Sequence, residues 1–556
     1  MSKKDGINIY LKQHIKYMVT FLGVIVMMAF FAPLKSFILQ WLIDAQNMRE
    51  AIIYLGLGCV IILCNFAFNL IGNNMFSQIQ TSSVSNIRNM LMQQLLYREK
   101  EEQNEESNAE YLSILTNDMQ IIATDYYEAG YNIISFGIIL LVSLIMYIYI
   151  DISMLFFVAI AGVASVTLPR ILDKILEKTR KIYSEEVGKY TLISKELLDG
   201  YDVIRNFLVT NNYQKLYNDQ SKKVKCVDYR FHKLINCSSG LSSLVSNMLF
   251  FIVLLFGMLL VFQNKITLGY MVAATYLSNF VIAPCQIISA NYAKFKSSKR
   301  IVGKINQLLE VNNFESSYEA VIDDIITINM NNVSFCYKSN SNIVLKDINL
   351  KWDENNKKIA IIGESGSGKS TIAKLIYKFS EQYQGDIYIN GIELRKIQEQ
   401  KLYNKVGYVP QDVFIFNDTL KHNITLYDIY TDSEIKEALE KAGLVEFVNS
   451  LPKGIDTELL ENGKNLSGGQ IKRISLARVL LRKYKCIIVD EMTANLDPST
   501  THLIMNNLLG IDIMLLVITH DVNNEFMNKF DTIYDLKLGK LEKEGDIKKK
   551  NGSVYA

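Results

Sequence analysis

Apolar residues are concentrated in the first 300 residues of the chain, in six windows without a charged side chain. The windows are Tyr17–Leu34, Ala51 to about Met75, Gly130–Ile150, Ile152–Pro169, Ser238–Asn264 and Ile266–Ala293. At 1.5 Å per residue, about 20 apolar residues cross the roughly 30 Å hydrocarbon core of a bilayer. A helix on a soluble core would show charge on its outer face every third or fourth residue. Met248–Phe262 (MLFFIVLLFGMLLVF) is instead apolar on every face. The pattern predicts six spanning helices. The first window is longer than the apolar region of a secretory signal and lacks a small-residue cleavage site after it.

Lys3, Lys4, Lys12 and Lys16 precede the first window, which puts the N-terminus in the cytoplasm, and six spans return the C-terminus there. Asp151 and the region of Lys265 read as tight outer turns. The two long gaps, 76–129 and 170–237, then fall inside. They hold few Gly and almost no Pro, and Ser85–Tyr97 and Ile171–Val187 read as helix. Folded as out-and-back hairpins of about 25 residues each way, they would reach roughly 37 Å past the membrane. Their turns fall near Asn104–Tyr111 and Gly200–Phe207.

The whole chain has 556 residues, 49% of them hydrophobic and 21% charged, a net charge of +2 and a mean hydropathy of +0.12. That apolar content excludes disorder. Seven Cys exclude a small disulfide scaffold, and all of them lie in spans or on the cytoplasmic side, where disulfides are not expected. The near-zero charge gives no reason to expect nucleic acid as a partner. After Lys294 charges become regular, Lys299–Asp324 reads as a polar helix and linker, and from Ile326 about 230 residues remain for one α/β domain. The expected organisation is a transmembrane domain over 1–310, a linker over 311–325 and a second domain over 326–556.

The second domain carries phosphate-binding chemistry. The short strand Lys358–Ile362 leads into Gly363-Glu364-Ser365-Gly366-Ser367-Gly368-Lys369-Ser370-Thr371 and a helix over Ile372–Phe379, the strand–loop–helix setting of a P-loop. Its glycines let backbone N–H groups turn inward around phosphate oxygens, and the helix adds its positive end. Lys369 supplies a point charge for the β- and γ-phosphates, and Ser370 a hydroxyl for Mg²⁺. A second apolar strand, Cys486–Val489, ends in Asp490-Glu491. Asp490 suits Mg²⁺ through water, and Glu491 can orient or deprotonate an attacking water. Before it, Leu466-Ser467-Gly468-Gly469-Gln470 opens a helix over Ile471–Leu481, with Ser467 as N-cap and two glycines that leave N–H groups bare. This is a second anion site, and one domain has no use for two on a single γ-phosphate. Two copies head to tail would clamp ATP between the loop of one and the helix end of the other.

Together Gly363–Thr371, Leu466–Gln470 and Asp490-Glu491 resemble the ATP-binding-cassette (ABC) transporter family, and six spans followed by one cassette resemble its exporter half-transporters. The fold this implies is an all-α six-helix transmembrane domain with an α/β P-loop ATPase. The resemblance also makes Tyr337, 26 residues before Gly363, the aromatic on adenine. It makes Gln411 the residue that meets Mg²⁺ and the transmembrane part, and His520, after a strand over Met514–Thr519, the contact to the γ-phosphate. Asp497 matches the D-loop, where Ala494-Asn495 departs from the more frequent Ser-Ala. Glu461 resembles the segment that exporters press against their coupling helices.

The implied function is ATP-driven alternating access by a dimer, with hydrolysis through Glu491 and His520. Intact motifs favour a homodimer, and a heterodimer stays open. An importer and an ATP-regulated sensor or channel are the other readings; a soluble cassette of nucleic-acid machinery is excluded by the spans. Abundant Lys, Asn and Ile point to an AT-rich bacterial genome and so to a bacterial plasma membrane. Membrane lipids surround the spans. Asn65, Asn69, Asn132, Asn247 and Asn279, with Tyr131, Tyr270 and Tyr276, are the polar residues inside them. Such residues serve as helix–helix glue or face a cavity. A peptide, a lipid or an amphipathic small molecule would each suit that cavity, and the charge-free windows do not favour a strongly charged cargo. The first span begins near residue 17, which leaves no N-terminal protease domain to cut a leader peptide.

Overall fold

The computed structural model describes residues 15–96, 108–167, 169–310, 324–337, 343–492, 497–520 and 524–543. Asn104–Ser107 of the first hairpin turn, most of the linker and Ala494-Asn495 lie outside the described residues. Two compact units result, one helical and one built on two sheets.

The helical unit comprises α1 (Ile15–Ile43), α2 (Met48–Leu96), α3 (Ala129–Ile150), α4 (Ile152–Thr167), α5 (Asp173–Asp199), α6 (Tyr201–Asn206), α7 (Thr210–Phe262), α8 (Leu268–Leu277) and α9 (Asn279–Glu310). Among the described residues five helical stretches are long and apolar enough to cross a membrane: Tyr17–Ile43, Met48–Leu96, Glu110–Ile150, Thr210–Phe262 and Leu268–Leu309. The fourth window gives a shorter helix, α4, of 16 residues. Its described residues cover about 24 Å. Pro169 then opens a 3₁₀ turn that leads into α5, because its ring removes the N–H that would continue the ladder. The first window ends at Leu34 only because Lys35 is charged; α1 itself continues to Ile43.

With 49 and 53 residues, α2 and α7 measure about 74 and 80 Å, more than twice the hydrocarbon thickness. The surplus forms the expected hairpins. α5 and α7 run antiparallel, with Tyr183 stacked on Phe231 at 5.4 Å and Gln220 Nε2 donating to Glu186 Oε2 at 2.8 Å. The far end of α2 packs Val84, Ile87 and Leu91 against Met119, Ile122 and Ile305. At the opposite end Asp44 ties two loops together, accepting from Thr267 Oγ1 (2.7 Å) and Gly269 N (3.2 Å). Large apolar side chains such as Leu63, Phe66, Ile145, Phe156, Phe251 and Leu255 face outward, as lipid-facing residues do. All seven cysteines are free.

The second unit contains β1 (Thr327–Cys336), β2 (Ile343–Asp353), β3 (Lys358–Ile362), α10 (Lys369–Ile376), β4 (Gln384–Ile389), β5 (Ile392–Glu393), β6 (Val406–Val409), α11 (Leu420–Thr425), α12 (Asp432–Lys441), α13 (Gly468–Leu481), β7 (Cys486–Asp490), α14 (Pro498–Gly510), β8 (Met514–Ile518), β9 (Thr532–Lys537) and β10 (Lys540–Lys543). β2-β1-β4-β5 form an antiparallel sheet, and β10-β9-β3-β8-β7-β6 a mainly parallel one. The parallel strands are apolar throughout because both faces are covered. Ile359, Ile361, Ile488 and Leu516 enter one core, while Ala360, Ile487, Val489 and Val517 enter the other. This alternation across the pleat fixes the register, since a slip by one residue would exchange the two cores.

Candidate nucleotide site

β3, β8, β7 and β6 are neighbours in that order, all parallel, so their carboxyl ends share one edge of the sheet. Open α/β sheets bind ligands at that edge. Gly363–Thr371 follows β3, His520 follows β8 and Thr519, Asp490-Glu491 close β7, and Gln411 follows β6 and Pro410. Thr519 N donates to Ile361 O at 3.1 Å and holds the start of the His520 segment beside the loop; His520 itself is exposed.

The loop geometry is that of an anion cradle. Gly363 has φ +149° and Gly368 φ +104°. A Cβ on Gly363 would lie 2.5 Å from Leu536 O, so only glycine fits that turn. α10 begins at Lys369, three residues before the expected Ile372, which places Lys369, Ser370 and Thr371 in its first turn. Lys369 is buried, and its Nζ donates to the carbonyls of Gly363 and Glu364, both at 2.8 Å. The ammonium is thereby held across the loop mouth, where phosphate oxygens can replace the two carbonyls. Tyr337 is half-exposed beyond β1, and its hydroxyl stands 3.1 Å from Thr371 Oγ1.

Ser370 Oγ donates to Asp490 Oδ1 at 2.9 Å, and Tyr408 OH to Oδ2 at 3.2 Å. Burial pushes the Asp490 carboxyl above the usual carboxylate range, and the two hydroxyls partly offset this. The Ser370 hydroxyl and Asp490 carboxylate are the hard oxygen donors that Mg²⁺ takes. Among the described residues no group of three or more His, Cys, Asp or Glu is assembled. A cation here would therefore complete its shell with phosphate and water oxygens.

Glu491 lies in the left-handed region at φ +48°, a backbone cost that persists only where neighbours enforce it. Its N donates to Ile518 O at 3.0 Å, its carbonyl accepts from Lys472 Nζ at 2.6 Å, and its Oε2 accepts from Gln411 Nε2 at 2.6 Å. The structure thus joins Gln411 to Glu491. Tyr408 and Lys472 are functional neighbours that sequence reasoning passed over. Their only signals were a tyrosine in a buried strand and a cation on a phosphate-type helix.

The Leu466–Gln470 segment builds a full capping box. Ser467 Oγ accepts from Gln470 N at 3.2 Å, and Gln470 Oε1 accepts from Ser467 N at 2.8 Å. The helix starts at Gly468, three residues before the expected Ile471. Ser467 and Gly468 are exposed and Gly469 is buried. α13 packs on α11, α12 and β6, whereas the P-loop leaves β3, three strand positions away, or about 14 Å. A Cβ on Gly468 would meet no atom within 4 Å. Asp497 caps α14, accepting from Thr500 N at 2.9 Å. Glu461 opens a short 3₁₀ turn, and its side chain lies outside the described set.

A sequence profile described as ABC transporter matches residues 345–494, and one described as ABC transporter transmembrane region matches residues 14–285. A Rickettsia typhi protein named as an export ATP-binding/permease protein is 30% identical over 92% of this chain and 89% of its own length. The ATP-dependent lipid A-core flippase of Haemophilus influenzae is 26% identical over 86% of this chain and 82% of its own. The sublancin-168-processing and transport ATP-binding protein SunT of Bacillus subtilis is 26% identical over 73% of this chain and 58% of its own. A bacterial Atm1-family ABC exporter with ATP bound shares the fold, with a TM-score of 0.81, 20% identity and coverage of 97% of both chains.

Proposed function

Because this chain belongs to the ABC transporter family, with membrane region and ATPase fused in one polypeptide, we propose that it is one half of a dimeric exporter. ATP hydrolysis coupled to transport follows from the family. The finer reading is that two copies face each other head to tail. Gly363–Thr371 of one and Ser467-Gly468 of the other enclose each ATP. The observation that carries it is the exposed helix start at Ser467-Gly468: it belongs to α13 beside β6, three strand positions from the P-loop of its own chain, and a Cβ on Gly468 would meet no atom within 4 Å, so the helix end is open to a phosphate held by a second copy.

In that pocket Lys369 binds the β- and γ-phosphates, and Tyr337 lies against the adenine. Glu491 leaves Gln411 to orient and deprotonate the attacking water, and His520 and Ser467 hold the γ-phosphate. Asp497 belongs to the segment between the two pockets. Ser370 and Asp490, with Gln411, would hold Mg²⁺, which when bound offsets the charge gathering on the phosphates. α2, α5 and α7 are long enough to carry the motion to the spans. Complete motifs favour a homodimer. The lysine-rich segment before α1 supports a cytoplasmic N-terminus, and the bacterial relatives support a plasma-membrane location.

Tyr131 and Asn132 act as glue between helices: Tyr131 OH reaches Asn73 Oδ1 at 3.1 Å, and Asn132 Nδ2 reaches Asn291 Oδ1 at 3.4 Å. An apolar cleft of about 530 Å³ lined by Leu144, Ala159, Val163, Val281, Cys285 and Tyr292 favours a cargo with an acyl or otherwise apolar part. A lipid cargo is in keeping with the name of the Haemophilus relative and a peptide cargo with that of SunT, and an amphipathic small molecule suits the same cleft. The test uses proteoliposomes with the cassettes outward. ATP-dependent accumulation of a fluorescent amphiphile in the lumen, abolished by Lys369→Ala, is expected; accumulation without ATP, or none with vigorous ATPase, would overturn export.

A further inference from the structure

Lys35 lies inside α1, five residues past the midpoint of the apolar stretch Tyr17–Ile43, or about 8 Å from its centre. Lysines near a span end usually extend to the membrane surface. This one instead donates from Nζ to Asn65 Oδ1 of α2 at 3.0 Å, near the middle of the second apolar window. Its partner is a neutral amide. α1 carries no carboxylate; Asp44, just past its end and nine residues on, has its oxygens engaged by Thr267, Gly269 and Gln40. A positive charge in an apolar span is thus left without a counter-charge on its own helix.

Asn65 supplies the second observation. A lysine ammonium has three donors and no acceptor, so the amide atom facing it must be the oxygen. The Nδ2 group then points away from Nζ. It is buried and has no hydrogen-bond partner among the described residues, in a residue only 8% exposed, while Asn69 Nδ2 donates to the Asn65 backbone carbonyl at 2.8 Å. Two ammonium N–H groups of Lys35 remain beyond the one spent on Asn65, and Asn65 acts as the acceptor that holds the ammonium in place. Lys35 is half-buried, so its ammonium can be reached, while Asn65 Nδ2 is enclosed.

We propose that Lys35, positioned by Asn65, forms a subsite for an anionic oxygen group, a carboxylate or phosphate, on an amphiphile. The inference rests on the exporter reading insofar as the amphiphile is the cargo; a lipid headgroup phosphate offers the same chemistry. It adds an anionic headgroup to the apolar body favoured above. Charge-assisted hydrogen bonds are worth enough to give about a tenfold preference over a neutral head group.

The test uses the full chain in phosphatidylcholine nanodiscs. Dodecyl phosphate, dodecanoate and dodecanol are titrated against tryptophan emission with Trp352→Phe in every chain, which leaves Trp41, six residues beyond Lys35 on α1, as the reporter. Both anions are expected to bind about tenfold more tightly than dodecanol. Lys35→Gln removes that preference and Lys35→Arg keeps it. Asn65→Asp, which supplies an internal counter-charge, removes it by a different route. The ratio is read within each variant, so a change in overall stability cancels. Adding phosphatidylglycerol to the discs distinguishes the sources: it weakens anion binding if lipid phosphate occupies the subsite and leaves it unchanged if cargo does. An anion preference equal in the wild type, Lys35→Gln and Asn65→Asp, or absent from the wild type, overturns the proposal. Failure of export itself would appear in the liposome assay, not in this ratio.

Discussion

Replacing Gly468 by Asp separates the stability of one chain from the chemistry of two. Within the chain the new Cβ meets nothing within 4 Å. The position is the first residue of α13, after the Ser467 cap. Glycine is a poor helix residue, and an acid in the first turn interacts favourably with the helix dipole, by about 0.3–1 kcal/mol. Folding stability should therefore stay level or rise slightly. If the γ-phosphate of a facing pocket approaches this helix end, a carboxylate about 4 Å from it costs about 4 kcal/mol at an effective dielectric near 20, or roughly a thousandfold in rate. The assays are the thermal midpoint, binding of a fluorescent ATP analogue and steady-state ATPase on one preparation. Unchanged midpoint and nucleotide binding with ATPase down by two to three orders of magnitude is the expected result. ATPase within about threefold of wild type would refute the reasoning, because nothing anionic would then be meeting Gly468.

Tyr408→Phe removes the hydroxyl from Asp490 Oδ2. It should lower kcat about tenfold and raise the Mg²⁺ concentration for half-maximal ATPase, as loss of an outer partner of a metal-binding carboxylate does; an unchanged Mg²⁺ dependence would remove Tyr408 from the site. Glu434, in the α12 capping box, is held down to about 2 by Lys483 and by the Thr431 backbone and hydroxyl. With its folded value below the unfolded value of about 4.3, it contributes stability above that pH, and the contribution is lost as pH falls toward 2. Glu434→Gln should lower the cassette's melting temperature at pH 7 and flatten its fall between about pH 4.5 and 2; parallel curves for both proteins would contradict this.

The parts of the site that read directly from sequence are local ones. A strand, a glycine loop and a helix N-terminus follow one another in Lys358–Ile376, so the cradle needs no distant residue to be recognised. The capping box of Ser467 and Gln470 is likewise a three-residue spacing. The strands β3, β7 and β8 were also legible, since their short continuous apolar runs suit strands covered on two faces. Contacts made only by the sheet order were not. Tyr408 meets Asp490 because β6 adjoins β7, and Gln411 and Lys472 converge on Glu491 from two different elements. In the membrane unit, treating a charge as the end of a span hid Lys35 within α1. The fourth window, read as a span ending at Pro169, holds the described helix Ile152–Thr167 and the 3₁₀ turn at Pro169 that leads into α5.

Mixed dimers test the head-to-tail pocket most directly. A Lys369→Ala chain keeps its helix end and loses its phosphate loop, whereas a Gly468→Asp chain does the reverse. Each is purified alone, and mixed pairs are isolated through two different tags, all in a Glu491→Gln background that traps ATP by stopping hydrolysis. If each pocket draws its two halves from different chains, the mixed pair has one pocket with both halves sound. It should hold one trapped ATP per two chains, while either parent pair holds none. Trapping of one ATP per chain in a parent pair, or no trapping in the mixed pair, would contradict the account.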